Sequence, residues 1–203
     1  MLASKIDMKI RKNSAFTLIE VIIGVAILSV VLTAMTSLTL SSINANQANI
    51  NRLTAYYLAQ EGLEGMRNMR DSNWLQNYTY NTGASFWGTN FDQDGFYVLD
   101  YLPSRGNSSS PWKLAYFSDK ENEASVNSLL YRVEDNFGHN FYLHDSSFAS
   151  SVPSNFHRYL QISNDPDAHD WFEVKAVVFW EDHGVEKKIE VSTDLANWRK
   201  GPI

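Results

Sequence analysis

No cysteine occurs in the 203 residues, so neither a disulfide nor a thiolate metal site can form, and the redox character of the compartment is left open. Proline is absent before Pro103, which leaves the first half of the chain without a helix breaker. Ionisable side chains are missing altogether from Val21 to Leu40. Three recurrent catalytic or nucleotide-binding patterns are lacking too: G-x-S-x-G, a phosphate loop and a dinucleotide fingerprint. Without H-E-x-x-H the five histidines (His139, His144, His157, His169 and His183) suggest no zinc site, and no enzyme activity is expected. His139 and His144 flank a short strand at odd spacing, so they should face opposite sides if it reaches both.

What stands in place of these is one long apolar stretch, AFTLIEVIIGVAILSVVLTAMTSLTL, from residue 15 to 40. Its charge-free part matches the roughly 20 residues a helix needs to cross a bilayer core. The stretch holds a single charge, Glu20. A carboxylate carried to the bilayer centre costs on the order of 2.5–3.5 kcal/mol on insertion scales, so a cation should neutralise it in the working state. An ordinary secretory signal has a shorter core of about 7–15 apolar residues and a small-x-small cleavage site, which this stretch does not match. A plain single-span anchor fits the length and assigns Glu20 no purpose.

Charge is divided along the chain. Residues 1–15 carry Lys5, Lys9, Arg11 and Lys12 against Asp7, a net of +3, and with −6 overall the remainder carries −9. A basic flank before the span and an acidic region after it predict an N-terminus in the cytoplasm and a C-terminal domain outside. An acidic domain also argues against nucleic acid as a partner, because phosphate binding needs concentrated positive charge.

A basic leader, a small residue, FTLIEV and a long apolar run together resemble the N-terminal signal of type IV prepilins and type II secretion pseudopilins. The resemblance implies cleavage by a prepilin peptidase between Ala15 and Phe16 and N-methylation of Phe16. It also implies an assembly role for Glu20, paired with the terminal amine of a neighbouring subunit. A buried carboxylate needs such a cation. Ala15 stands where the family usually has Gly. The lack of a disulfide, which many type IV pilins have, points the resemblance towards minor pilins and minor pseudopilins. The partners implied are other pilins or pseudopilins, the peptidase, membrane lipid, an inner-membrane platform and an assembly ATPase. The implied location is the cytoplasmic (inner) membrane, single-pass, and then a pilus or pseudopilus filament. Alternatives are a filament-tip adhesion or binding subunit and a membrane-anchored domain that never polymerises.

The expected fold is α+β, a long N-terminal helix packed on a C-terminal antiparallel sheet. The divisions expected are a leader over 1–15, a transmembrane and assembly helix over 16–40, its amphipathic continuation over 41–70 and a β-rich head over 71–203. Ile43, Ile50 and Tyr57 recur at seven, with Leu53 between them and Leu63 and Met66 beyond, which reads as one face of a helix from about Phe16 to about Arg70. Gly62 and Gly65 within it suggest close packing against a sheet. Residues 71–93 read as a packed loop and Pro103–Pro111 as an exposed one. Strands are expected at Gly95–Leu102, Trp112–Phe117, Leu129–Glu134, Asn140–Leu143 and His157–Ile162. The end of the chain is the clearest. In WFEVKAVVFWED and VEKKIEVST apolar and polar residues alternate about a short turn at Asp182–Gly184, with Lys187 the one break, as in an antiparallel hairpin. The many aromatic residues read as core and cross-strand pairs.

No cofactor is expected, calcium being the one candidate. Asn90, Asp92, Asp94 and Gly95 copy the opening of an EF-hand loop, but the Glu expected at its twelfth position is Tyr101. Asp165, Asp167 and Asp170 form a second acidic turn.

Overall fold

The computed structural model describes residues 16–76, 93–101, 112–118, 128–134, 138–147, 150–164 and 171–197. The expected leader, the loop over Pro103–Pro111 and the acidic turn at 165–170 lie outside the described residues, as do Asn90 and Asp92. One helix, α1 (Leu18–Leu75), is followed by seven strands: β1 (Gly95–Tyr101), β2 (Trp112–Ser118), β3 (Leu129–Glu134), β4 (Asn140–Leu143), β5 (Val152–Asn164), β6 (Trp171–Asp182) and β7 (Val185–Ala196). The chain forms two compact units, Met1–Gln47 and Ala48–Ile203.

In the first unit, α1 is exposed around its whole circumference, and it is long and apolar enough to cross a membrane. Four of its hydroxyl groups bond back to the helix itself. Ser29 Oγ donates to the Ala26 carbonyl, Thr33 to Ser29, Thr36 to Leu32 and Thr39 to Met35, all at 2.8–2.9 Å. Back-bonding of this kind lets Ser and Thr sit where no water is at hand.

The second unit is a sheet with the rest of α1 on one face. β5 is its centre. Along one edge, residues 160–162 pair with β1 and 152–157 with β3. Along the other, nine residues pair with β6, which pairs with β7 over twelve. β2 adds to β1 and β4 to β3, and every pairing is antiparallel. The α+β architecture with a long helix on a C-terminal antiparallel sheet is therefore present. His183 and Gly184, both with positive φ (52° and 75°), form the two-residue turn of the β6–β7 hairpin. On β6, Phe172, Val174, Ala176, Val178 and Trp180 are all buried, as the alternation requires. Lys187, the break in the pattern, lies exposed opposite Trp180.

The face of α1 that meets the sheet matches the expected one in part. Leu63 and Met66 are buried, as are Gly62 and Gly65, together with Ala55, Leu58, Ala59 and Met69, whereas Ile50, Leu53 and Tyr57 are exposed, Tyr57 at 63%. Close approach decides the outcome. Four of those eight are Ala or Gly, so the helix backbone can lie near the sheet, while the bulkier heptad residues sit on another side. Helix α1 also extends past Arg70, through the start of the expected loop. Trp74 holds its last turn, with its ring under the Arg70 guanidinium at 4.7 Å and its indole N–H donating to Asn197 Oδ1 at 3.3 Å. β5 begins five residues before the expected start, because its first part, with Pro153 and mostly exposed residues, gives no alternating signal yet still pairs with β3.

Gly65 marks the tightest approach. A Cβ there would lie 2.5 Å from Leu99 Cδ2 and 2.9 Å from Trp112 Cε3, whereas one at Gly24 would meet nothing within 4 Å. Gly65→Ala is therefore expected to destabilise the head by about 1–3 kcal/mol, the cost of overpacking a filled core. Gly24→Ala should instead stabilise the helix, by up to about 1 kcal/mol. Chemical denaturation of the two variants beside the parent checks both signs.

Candidate functional site

The motif residues at the start of α1 form a capping box. Thr17 is the last non-helical residue and Glu20 lies three positions on, the S/T-x-x-E spacing of that device. The Glu20 backbone N–H donates to Thr17 Oγ1 at 3.4 Å, and the Thr17 N–H donates to Glu20 Oε2 at 3.5 Å. Both bonds are long, so each is weak. The carboxylate also lies in the first turn, where the helix dipole favours negative charge. Glu20 thus has a local role as well, which supplies a purpose even in a plain anchor. Phe16, just ahead of the cap, is outside the helix and 79% exposed. Ala15 lies outside the described residues.

The head contains a second polar cluster, which the sequence pattern did not single out. Arg158 on β5 is 1% exposed and points at α1. Its Nη1 donates to the Leu58 carbonyl at 3.2 Å and lies 3.4 Å from Glu61 Oε1. Its Nη2 donates to the Leu99 carbonyl at 2.9 Å. Gly62 lies beside the Arg158 stem; a Cβ on it would crowd Leu160 Cδ2 at 3.0 Å and stand at ordinary contact distance, 3.7 Å, from Arg158 Cδ. The Arg158 backbone continues the network, its N–H donating to the Ser128 carbonyl at 2.8 Å. Its carbonyl faces His144 Nε2 at 2.8 Å.

His144, just past β4, meets Asp100 of β1 twice. Its backbone N–H donates to Asp100 Oδ1 at 2.8 Å, and its ring Nδ1 lies 2.9 Å from the same oxygen. Burial pushes the Asp100 carboxyl up, but hydrogen bonds from His144 and attraction to His144 and Arg158 outweigh it and hold the carboxyl below its ordinary value. His139 is exposed at the other end of β4 and does not join His144.

Asp94 is occupied structurally. Its Oδ1 accepts from the Asn164 backbone N–H at 2.6 Å and from Asn164 Nδ2 at 3.0 Å, tying the start of β1 to the end of β5. Among the described residues no three of His, Cys, Asp and Glu gather as a metal would require.

Two outcomes are expected. Thr17→Ala removes one half of the capping box and should cost the helix start about 0.5–2 kcal/mol. The measurement is faster amide exchange at Leu18–Val21 in micelles. The Asp100 contribution has the sign of a depressed carboxyl: present above its ordinary value of 3.8 and lost as pH falls through the lower folded value. Asp100→Asn should remove that part of the acid unfolding curve.

Comparison with known proteins places the signature at this helix start. The family model described as the prokaryotic N-terminal methylation motif matches residues 10–36, spanning Phe16, Thr17, Glu20 and the first half of the apolar run. No curated protein matches the chain, and no solved structure does. The match and the exposed apolar helix agree on a membrane-anchored chain whose motif implies processing by a prepilin peptidase and assembly with other pilins. The chain thus carries, at the start of α1, the prokaryotic N-terminal methylation motif, the prepilin signature of type IV pilins and pseudopilins.

Proposed function

We propose that the protein is a minor pilin or minor pseudopilin, a structural subunit of a type IV pilus or type II secretion-like filament. The methylation motif supports this reading by falling on a helix that is apolar on all sides and carries one charge at its start. Cleavage between Ala15 and Phe16 frees an amine one residue before the N-cap, and methylation leaves that amine cationic. The subunit waits in the cytoplasmic membrane with its N-terminus inside and its head outside. Glu20 then takes the Phe16 amine of a neighbouring subunit as its counter-ion when the apolar helices bundle. One carboxylate oxygen caps the helix in the free subunit; the other, Oε1, has no partner among the described residues and is available to a second donor.

The capping box allows the two roles of Glu20 to be separated. Glutamine keeps a side-chain oxygen for the Thr17 N–H but carries no charge. Glu20→Gln should leave amide exchange at the helix start near the parental rate yet abolish assembly, since breaking a buried ion pair costs about 3–5 kcal/mol per contact. Filament yield and subunit cross-linking read the second effect. Unchanged assembly in Glu20→Gln would leave a non-polymerising anchor.

Intact-mass analysis of protein made with its prepilin peptidase tests the processing step. The expected chain begins at methylated Phe16. A parent and an Ala15→Gly variant that both keep residues 1–15 would refute processing.

A further inference from the structure

We infer that the folded head holds His144 as an imidazolium, and that this ring is a pH-sensitive clasp joining the end of β4 to β1 and β5.

The argument is one of donors and acceptors. Both ring nitrogens face oxygen, Nδ1 toward Asp100 Oδ1 at 2.9 Å and Nε2 toward the Arg158 carbonyl at 2.8 Å. A carbonyl oxygen can only accept, so Nε2 carries a proton. Asp100 Oδ1 already accepts the His144 backbone N–H, and its carboxyl is held in the ionised form, so Nδ1 carries a proton as well. A neutral ring has one donor and one acceptor and leaves one of these contacts with two lone pairs opposed. Turning the ring over does not help, because carbon would then face both oxygens. The side chain is 7% exposed, so water does not supply the missing bond readily.

Charge around the ring is consistent with a second proton. Asp100 reaches it from β1, and the Arg158 guanidinium lies beside the pair from β5, itself 3.4 Å from Glu61 of α1. An imidazolium makes two cations against two carboxylates. Asp145, next in the chain, accepts from the Ser147 N–H at 2.8 Å and has Lys113 of β2 in its field.

β4 is four residues long and, within the described sheet, pairs with β3 alone. The clasp fastens its far end to β1 and β5, beside buried Leu143 and the ring contact of Tyr142 with Phe156. Both ring contacts are made together only while each ring nitrogen carries a proton.

The test uses the ¹⁵N-labelled full chain in detergent micelles. Long-range ¹H–¹⁵N spectra should show both His144 nitrogens protonated at about pH 6, near the ordinary imidazole value. One bare nitrogen at that pH would overturn the proposal without need of any variant. Melting temperature and the protection of the Leu143 and His144 amides are then followed from about pH 6 to about pH 9, across the range where imidazole loses its charge. Both should fall in the parent, by several degrees and at least tenfold respectively, and His144→Gln should lack that step. Parallel profiles in the two proteins would mean that the ring is not the clasp.

Discussion

A guanidinium that cannot reach water organises the head. Charge withdrawn from solvent has to be met by groups fixed in place. Arg158 finds carbonyls on α1 and β1, a carboxylate on α1 and, through its own backbone, contacts to the residue before β3 and to His144. Helix, central strand and the β3–β4 arm are therefore mutually placed by one residue, through its side chain and its backbone. The apolar core around it supplies most of the burial, but it does so without direction. The hydrogen bonds of Arg158 supply orientation.

Along α1 two solvents call for two compositions. Up to Leu40 the residues are large and aliphatic on every side, interrupted by hydroxyls that bond back to their own helix. Further on, the surface that meets the sheet is made of Ala, Gly, Leu and Met. One helix thus changes from a segment suited to lipid to a segment shaped for contact at close range, with no proline or break between. The single charge of the apolar part is at the one place where a helix welcomes a carboxylate.

Much of this was legible. The apolar run, the single Glu20 and the FTLIEV string identify the first segment because membrane solvation imposes a composition with few exceptions. The β6–β7 hairpin was legible because alternation along two adjacent segments fixes both pairing and facing. The buried face of α1 was legible in part: Leu63, Met66, Gly62 and Gly65 lie on it, the row of Ile50, Leu53 and Tyr57 does not, and Ala55 and Ala59, which help complete it, have too little apolar bulk to mark a periodicity. The Arg158 cluster was hidden for another reason. Asp100 and Arg158 come from two strands and His144 from just past a third, and no local pattern announces that a basic residue in RYLQIS turns inward. The capping box, by contrast, stood in the sequence as T-L-I-E and was overshadowed by the stronger claim of the motif around it.

The twelve-residue ladder between β6 and β7 leaves β7 with one strand neighbour among the described residues. A strand that long, regular and without proline is the kind of edge on which chains aggregate. Its first half answers that hazard. Glu186, Lys187, Lys188 and Glu190 crowd the exposed stretch, and Lys188 and Glu190 pair at 2.7 Å. Pairing of two such edges would need like charges to meet in register across the new ladder, which is costly. The composition of β7 thus lets the sheet end in solvent with its outer strand uncovered.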